Sequence, residues 1–106
     1  MKASDDPILE RSRAAVNEIY GDRGARMVLF GSRARGDARA DSDYDIAVFL
    51  RGDMPDRIAE ACRLADVSTS ILEETGEFIH AMPYCADAYN DRTPLMHEIR
   101  REGVNL

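Results

Sequence analysis

One polar segment, which lies between two apolar runs, constrains this chain more than any other part of its sequence. Residues 27–30 precede the segment and residues 46–50 follow it, and both runs have the length and composition of buried strands. Within the segment, Gly31 and Gly36 mark tight turns. The pattern predicts a strand over residues 26–30, a short helix that begins at Ser32 and ends at Gly36, and a second strand over residues 44–50.

The start of this segment has the features of a phosphate-binding turn. Gly31-Ser32 follows a strand directly, so the N-terminus of the next helix lies at the end of that strand. The free N–H groups and the helix dipole at such a position favour an anion. Gly31 lets the backbone approach a phosphate closely, and the Ser32 hydroxyl adds a donor. An ordinary tight turn is the alternative interpretation.

The end of the segment carries two aspartates, Asp43 and Asp45, on either side of Tyr44. Side chains at positions i and i+2 of a strand lie on the same face, about 6.6 to 7 Å apart. Two carboxylates in this arrangement repel each other unless a cation neutralises them. Magnesium accepts one or two carboxylates together with substrate phosphates and water. With the glycine turn upstream, the pair predicts a site for a triphosphate and magnesium, whereas alone it is typical of a solvated strand end.

Two common phosphate-binding motifs are excluded. Gly31 and Gly36 have the spacing of a P-loop, but Asp37-Ala38 occupies the positions where that motif requires Lys followed by Ser or Thr. The sequence also lacks GxGxxG, so nothing supports a dinucleotide-binding fold. A Walker-type NTPase and a dinucleotide-binding enzyme are therefore not expected.

The length and composition of the chain indicate a single soluble domain. Its 106 residues suffice for one core, so residues 1–106 are expected to form one domain. The net charge of −6 argues against direct binding of nucleic acid, which needs a basic face. The sequence has no signal peptide, no apolar run of about 18 residues and no CxxC motif, so a cytoplasmic protein that spans no membrane is expected.

The remaining patterns predict alternating helices and strands, and a fold of the α/β (α+β) class. The further elements expected are a helix over residues 7–20, a loop at Asp41 and Ser42, a helix from Pro55 to residues 74–76, a third strand over residues 78–82, and a last helix from Thr93-Pro94 to Gly103. Pro83 either stops the third strand or places it at a sheet edge. Together these elements predict a small mixed β-sheet of three or more strands, backed by helices on one side.

Helical spacing predicts which residues of each helix face the core. For the first helix they are Ile8, Ser12, Ala15, Val16 and Ile19. For the helix that follows Pro55 they are Ile58, Ala61, Cys62, Ala65, Ser68, Ile71 and Leu72. For the last helix they are Leu95, Met96 and Ile99.

The order Gly31-Ser32, Gly36, Ser42-Asp43-Tyr44-Asp45 resembles a known family signature, written G-S-x-x-x-G-x(5)-S-D-x-D before an apolar strand. It is the signature of the DNA polymerase beta-like nucleotidyltransferase superfamily. The apolar third strand and the ending from Thr93 to Val104 extend the likeness, so that about residues 10–106 resemble a minimal nucleotidyltransferase (MNT) domain. The resemblance implies the nucleotidyltransferase fold.

The resemblance also implies roles for these residues. Gly31 and Ser32 would hold the β and γ phosphates of a nucleoside triphosphate, ATP in the usual case, with Ser42 also in the nucleotide-binding motif. Asp43 and Asp45 would ligate two Mg²⁺ ions, and a nucleotidyl group would pass to an acceptor hydroxyl. Arg33 and Arg35 would either face the phosphates or be solvated helix arginines.

The chain departs from the family at the third carboxylate, which usually comes from the third strand as a metal ligand and general base. When residues 76–82 are matched to the third strand of the family, His80 falls at that position. His80 could serve as the base, as a substitute ligand, or only as a strand residue. Glu77 lies on the opposite face of the strand and is a poor replacement. Weak metal binding, slow catalysis and binding without catalysis all follow as possibilities.

MNT proteins of this size resemble the antitoxins of toxin–antitoxin pairs whose partner is a helical HEPN ribonuclease toxin. The resemblance implies a magnesium-dependent protein adenylyltransferase that moves AMP from ATP to a tyrosine of the toxin, in a possible hetero-oligomer. The alternative is a catalytically weak or inactive nucleotide-binding antitoxin that neutralises its toxin by binding and masking it. Transfer to a small molecule is less favoured, because the chain has no room for a second, acceptor domain.

Overall fold

The computed structural model of the chain describes residues 6–39 and 42–106, which contain one four-stranded sheet. In chain order the elements are α1 (Pro7–Tyr20), β1 (Gly24–Phe30), α2 (Ser32–Arg35), β2 (Tyr44–Leu50), α3 (Arg57–Thr75), β3 (Ile79–Cys85), α4 (Pro94–Glu102) and β4 (Val104–Asn105). Short 3-10 turns span Gly21–Arg23 and Ala86–Asn90. Of the predicted loop at Asp41 and Ser42, Asp41 lies outside the described residues and Ser42 has no regular structure.

The sheet has the strand order β3-β2-β1-β4. β1 pairs antiparallel with β2 and β4, and β2 pairs parallel with β3 through the crossover helix α3. The predicted fold class, a small mixed sheet backed by helices, is confirmed. β4 was not predicted, because a strand of two residues carries no alternation that a sequence pattern could detect.

Both faces of the sheet are covered, which corrects the prediction that helices lie on one side only. Met27 and Leu29 of β1 pack in one apolar cluster with α1 and α3, whereas Val28 packs in a second cluster with Met96 and Ile99 of α4. The physical reason is visible in β2, where six of the seven residues are buried and the seventh, Asp45, is half-buried. A strand that is apolar on both faces needs a cover on each side.

The predicted limits of α1 are confirmed, since the helix spans Pro7–Tyr20 and Asp6 accepts a hydrogen bond from the Ile8 N–H at 2.9 Å. Its buried face is Leu9, Ser12, Ala15, Val16 and Tyr20. The prediction of Ile19 as a core residue was wrong, because this side chain is 41% exposed, and Ile8 is only half-buried. Leu9 and Tyr20 lie at helical spacing from Ser12 and Val16, and they are the buried residues in place of Ile8 and Ile19.

The predicted inward face of α3 was mostly wrong. Ser68 and Ile71 are buried as predicted, but Ile58 is 78% exposed and Cys62 is also exposed. The buried residues of α3 are Glu60, Leu64, Val67, Ser68 and Ile71. These positions follow the i, i+4, i+7, i+8, i+11 spacing and bring three large aliphatic side chains to the sheet, whereas the predicted face consisted largely of small residues.

Pro83 lies inside β3, at the outer edge of the sheet, so the edge-strand alternative is confirmed. Proline has no N–H to donate, and the Pro83 carbonyl accepts a hydrogen bond from the Arg57 guanidinium at 3.4 Å.

None of the helices in the described part of the chain has the length and apolar character that crossing a bilayer requires.

Candidate active site

A cleft of about 500 Å³ opens where β1 ends and where β2 and β3 begin. The strand register aligns Phe30 with Asp45, and Asp45 with His80, so the three strands bring these residues to one end of the sheet. The cleft is lined by Phe30, Gly31, Ser32, Arg35, Asp45, His80, Met82, Tyr84, Leu95 and Glu98. Five of the predicted site residues, Gly31, Ser32, Arg35, Asp45 and His80, therefore line one cavity.

Gly31 is the residue that allows the turn and the carboxylate of Asp45 to meet. Its φ of 76° and ψ of −157° lie in a region that is essentially restricted to glycine. A Cβ at this position would lie 2.6 Å from Asp45 Oδ2. The backbone then forms a single turn of helix, in which the N–H groups of Ala34 and Arg35 donate to the Gly31 carbonyl and Gly36 ends α2 with a φ of 84°.

Asp45 lies in an unfavourable electrostatic environment. Burial raises the pKa of its carboxyl group above the ordinary value, and the nearby charges of Asp43 and Glu98 raise it further, whereas His80 acts in the opposite direction. The two atoms Asp45 Oδ1 and His80 Nδ1 are 3.8 Å apart, and the His80 side chain is 58% exposed. A cation at this carboxylate would relieve the repulsion.

Asp43 lies just outside the cleft, exposed, two residues before Asp45. Within residues 6–39 and 42–106, no three or more His, Cys, Asp or Glu side chains are grouped closely enough to enclose a metal ion on their own. The two aspartates nevertheless fit Mg²⁺, which commonly takes one or two carboxylates and obtains its other ligands from substrate phosphates and water. The pKa of Asp45 is raised mainly by burial, and His80 offsets the rise only in part.

Arg33 points to the loop before β2 and does not line the cleft. Its guanidinium donates two hydrogen bonds to the Ser42 carbonyl, at 3.0 and 2.8 Å, and lies 4.1 Å from the centre of the Tyr44 ring. It also lies 4.0 Å from Glu77, which is likewise away from the cleft. The Ser42 hydroxyl accepts a hydrogen bond from the Arg39 N–H at 2.9 Å. Arg33 and Ser42, both predicted to contact nucleotide, thus hold the loop that leads to Asp43.

Arg35 lines the cleft and connects α2 with α4. Its guanidinium lies 3.3 Å from Asp37, 3.5 Å from Glu98 and 3.4 Å from Glu102. The hydrogen bonds to Asp37 and Glu102 raise the pKa of Arg35 above its ordinary value. A cationic group with several donors at the wall of the cleft is well suited to phosphate oxygens.

Sequence reasoning missed Glu98, Met82 and Tyr84 as cleft residues. A signal existed for Glu98, because Leu95 was predicted to face inward and residues three positions apart share one side of a helix. Met82 and Tyr84 follow His80 at intervals of two along β3, and therefore share its face of the sheet.

Comparison with known proteins supports the interpretation of this geometry. A family model described as nucleotidyltransferase domain matches residues 9–92. The chain belongs to this nucleotidyltransferase family. No curated protein matches the sequence closely enough to count as a relative.

Two solved structures have the same nucleotidyltransferase fold. A chain of a toxin–antitoxin crystal structure with AMP-PNP is 20% identical and superposes with a TM-score of 0.63, over 91% of this chain and 70% of that chain. A chain of a mutant MntA–HpeT toxin–antitoxin structure is 21% identical, with a TM-score of 0.61, over 92% of this chain and 70% of that chain. The expected nucleotidyltransferase fold is therefore confirmed. A nucleoside triphosphate is the substrate that membership of this family implies.

Proposed function

We propose that this nucleotidyltransferase binds ATP with magnesium in the cleft and transfers AMP to a hydroxyl group of a partner protein. One observation carries the proposal: the glycine turn, Asp45 and Arg35 line the same cavity. The glycine turn and the guanidinium of Arg35 can donate hydrogen bonds to phosphate oxygens. The carboxylate of Asp45 can ligate a magnesium ion.

The phosphate end of the cleft is formed by Gly31, Ser32 and Arg35. Gly31 leaves room for a close approach of the backbone, since it carries no Cβ, and Ser32 offers a hydroxyl donor. Arg35 adds a planar guanidinium whose N–H groups match phosphate oxygens. Asp43 and Asp45 would hold two magnesium ions, which when bound neutralise negative charge on the phosphates and on the leaving pyrophosphate.

His80 is suited to accept the proton of the attacking hydroxyl. Because Nδ1 faces Asp45, Nε2 is the ring nitrogen left to take a proton from an acceptor, and the exposed side chain can be reached from solvent. In the transfer, the acceptor oxygen bonds to the α-phosphorus, the bond to the pyrophosphate oxygen breaks, and His80 holds the released proton. Asp45 stabilises the resulting imidazolium.

A toxin is the partner that we propose. The chain is similar over nine-tenths of its length to chains from toxin–antitoxin structures, one of them with AMP-PNP. We infer that residues 1–106 act as a single-domain cytoplasmic antitoxin, and that the acceptor is a tyrosine of a HEPN-type toxin with which it forms a hetero-oligomer.

The test is transfer of label from ATP labelled at the α-phosphate. The purified protein is incubated with magnesium and with the toxin encoded by the adjacent reading frame, and label on the toxin is the expected result. Asp45→Asn and Asp43→Asn proteins serve as controls, and both are expected to lose transfer. If the wild-type protein leaves the toxin unlabelled, or if the aspartate variants label it equally, the catalytic proposal fails.

One observation favours a second candidate, an antitoxin that binds nucleotide and masks its toxin without transfer. His80 occupies the position of the carboxylate that the family resemblance implies, so the metal site has fewer carboxylates than expected. Calorimetry separates the candidates, because this one predicts ATP binding without release of pyrophosphate. It also predicts that an Asp43→Asn/Asp45→Asn protein still protects cells from the toxin.

A further inference from the structure

A second cleft, of about 600 Å³, adjoins the nucleotide cleft. Tyr84 and Leu95 line both cavities, so the two lie on either side of these side chains. We call the second cavity the acceptor groove and define it by Arg57, Tyr84, Asp87, Asp91 and Leu95. It lies on the face of the sheet that α4 covers. The transfer reaction needs a path along which a second substrate reaches His80, and this groove begins where the nucleotide cleft ends.

β3 connects the groove with the reacting end of the cleft. His80, Met82 and Tyr84 alternate along the strand and lie on one face. At about 3.3 Å per residue, the distance from His80 to Tyr84 along the strand is about 13 Å. An extended polypeptide of four or five residues covers this distance. Its end at His80 would then lie beside Asp45, and its other end in the acceptor groove.

The acceptor groove presents negative charge. Asp87 and Asp91 are exposed, and within residues 6–39 and 42–106 neither carboxylate has an ion-pair or hydrogen-bond partner. Of the charged residues that line the groove, these two carboxylates outnumber the one guanidinium, that of Arg57, which donates to the Pro83 carbonyl and lies 5.8 Å from the centre of the Tyr84 ring. The surface therefore complements a basic segment.

The floor and rim of the groove are held in place by contacts within the protein. The centres of the Tyr84 and Tyr89 rings lie 5.6 and 5.4 Å from the centre of the Phe49 ring, and Tyr89 is edge-on to Phe49. Arg100 donates hydrogen bonds to the carbonyls of Tyr89 and Asp91, which fixes the Ala86–Asn90 turn. A preformed groove of this kind needs little rearrangement to bind a chain.

We propose that the acceptor groove binds an extended polypeptide segment in which basic residues flank the acceptor hydroxyl. The inference rests on the proposed transfer reaction and adds where the acceptor binds and what chemistry it has. The segment lies on the face of β3 and not along its edge, because Pro83 has no N–H and its carbonyl is already bonded to Arg57. The hydroxyl attacks the α-phosphorus, pyrophosphate leaves, and the proton passes to His80.

Cys85 lines the groove and reports on its occupancy. Cys62, the other exposed thiol, is removed by Cys62→Ser, and the rate of Cys85 alkylation by N-ethylmaleimide is then measured. The probe is a synthetic peptide with one tyrosine flanked on each side by two arginines. A second peptide has glutamates in place of the arginines. We expect the arginine peptide to slow alkylation several-fold and the glutamate peptide to leave the rate unchanged.

One variant reverses the charge of the groove and a control variant changes charge elsewhere, and neither alters a residue that lines the nucleotide cleft. Asp87→Lys/Asp91→Lys is expected to abolish protection by the arginine peptide, whereas Asp66→Lys on the exposed side of α3 is expected to preserve it. With ATP and magnesium present, mass spectrometry should find AMP on the tyrosine of the arginine peptide for the wild-type and Asp66→Lys proteins only. ATP binding by calorimetry should be the same for all of them.

The outcomes separate this inference from the proposed function. If the wild-type protein does not bind ATP, the transfer proposal fails, while protection of Cys85 still tests the groove. If ATP binds but the arginine peptide neither protects Cys85 nor receives AMP, the groove proposal is overturned. It is also overturned if Asp87→Lys/Asp91→Lys behaves as the wild type does, or if single-stranded RNA protects Cys85 and is labelled in place of the peptide.

Discussion

His80 lies directly opposite Asp45 on the neighbouring parallel strand, with its Nδ1 3.8 Å from the Asp45 Oδ1. The pairing puts an imidazole and a carboxylate on one face of the sheet, at the mouth of the cleft. The imidazole occupies the position at which the family resemblance implies a third carboxylate. Proton transfer at this site would therefore depend on a neutral base that a carboxylate orients, and the metal would depend on Asp43 and Asp45.

His80→Ala should slow transfer with little effect on ATP binding. Loss of a general base typically costs about 10² to 10⁴ in rate, whereas the phosphate-contacting groups Gly31, Ser32 and Arg35 are unchanged. Initial rates of toxin labelling and calorimetry with ATP measure the two effects. His97→Ala is the matched control, because His97 is exposed on α4 and does not line the cleft. Wild-type rates for His80→Ala would remove His80 from the mechanism.

His80→Asp should change the pH dependence of transfer. A protonated imidazole cannot accept a proton, so an imidazole base loses activity in mildly acidic solution. An aspartate stays ionised to about pH 4, and the variant should therefore keep its relative activity at lower pH than the wild type. The measurement is the pH–rate profile of toxin labelling for both proteins at saturating ATP. Profiles that coincide on the acidic side would contradict a role for His80 as the base.

Asp45→Asn should stabilise the free protein at neutral pH. The pKa of Asp45 is raised from 3.8, first by burial and then by the charges of Asp43 and Glu98. Below the pKa of the unfolded chain, the carboxyl group is protonated in both the folded and the unfolded protein and does not lower the free energy of unfolding. As the pH rises above the unfolded pKa, the carboxyl group ionises more readily in the unfolded chain than in the folded one, so the free energy of unfolding falls, and the full cost is reached above the folded pKa, at neutral pH. The variant removes this cost.

Thermal unfolding with a metal chelator present measures this effect. The melting temperature of Asp45→Asn should exceed that of the wild type at pH 7, and the difference should shrink as the pH falls towards 4. Asp66→Asn on the exposed surface of α3 is the control, and its melting temperature should follow the wild type. A lower melting temperature for Asp45→Asn at pH 7 would show that Asp45 has a structural role.

The elements of this fold could largely be predicted, but their arrangement could not. The apolar runs and the caps predicted α1, β2 and α4, because these signals are local. Periodicity shows which residues of a helix share a face, but not which side of the sheet that face contacts. The uninterrupted apolar run at residues 46–50 was the one sequence signal that both sides of the sheet are covered. α4 lies on the second face of the sheet because Met96 and Ile99 pack against Val28, a residue that is distant from α4 in the sequence.

The candidate site divides in the same way. Gly31, Ser32 and Asp45 could be predicted because they belong to one short motif. His80 could be predicted because it occupies the third-strand position at which the family usually has a carboxylate. The direction of Arg33 could not be predicted, since the Ser42 carbonyl and the Tyr44 ring determine it. The spacing of Glu98 from Leu95 could place it on the inward side of α4, but it lies in the cleft because α4 packs across the second face of the sheet, which the spacing does not show.

Glu98→Gln should strengthen ATP binding. The Glu98 carboxylate lines the cleft and lies 3.5 Å from Arg35, so it repels a triphosphate and competes with it for the guanidinium. Removing one such charge at a partly exposed site is worth about 1 kcal/mol, or roughly a fivefold gain in affinity. Glu102→Gln is the control, because Glu102 pairs with Arg35 but does not line the cleft, and its effect should be smaller. Calorimetry that gives weaker binding for Glu98→Gln would instead assign Glu98 to metal or nucleotide binding.

Gly31→Ala and Gly36→Ala should differ sharply, although both glycines have positive φ. At Gly31 the new Cβ would lie 2.6 Å from Asp45 Oδ2, so the carboxylate must move. The backbone at φ 76° and ψ −157° adds a strain of about 1 to 3 kcal/mol. At Gly36, by contrast, nothing lies within 4 Å of the Cβ, and only the left-handed conformation costs about 1 to 2 kcal/mol.

Denaturant unfolding and calorimetry with ATP and magnesium compare these two variants. Gly36→Ala should lose some stability and keep ATP binding within a few-fold of the wild type. Gly31→Ala should lose more stability and most of its ATP binding, because displacement of Asp45 disturbs the metal and the phosphate turn together. Equal ATP binding by the two variants would mean that the close contact of Gly31 with Asp45 is not needed for nucleotide binding, and that the glycine turn serves only the chain reversal between β1 and α2.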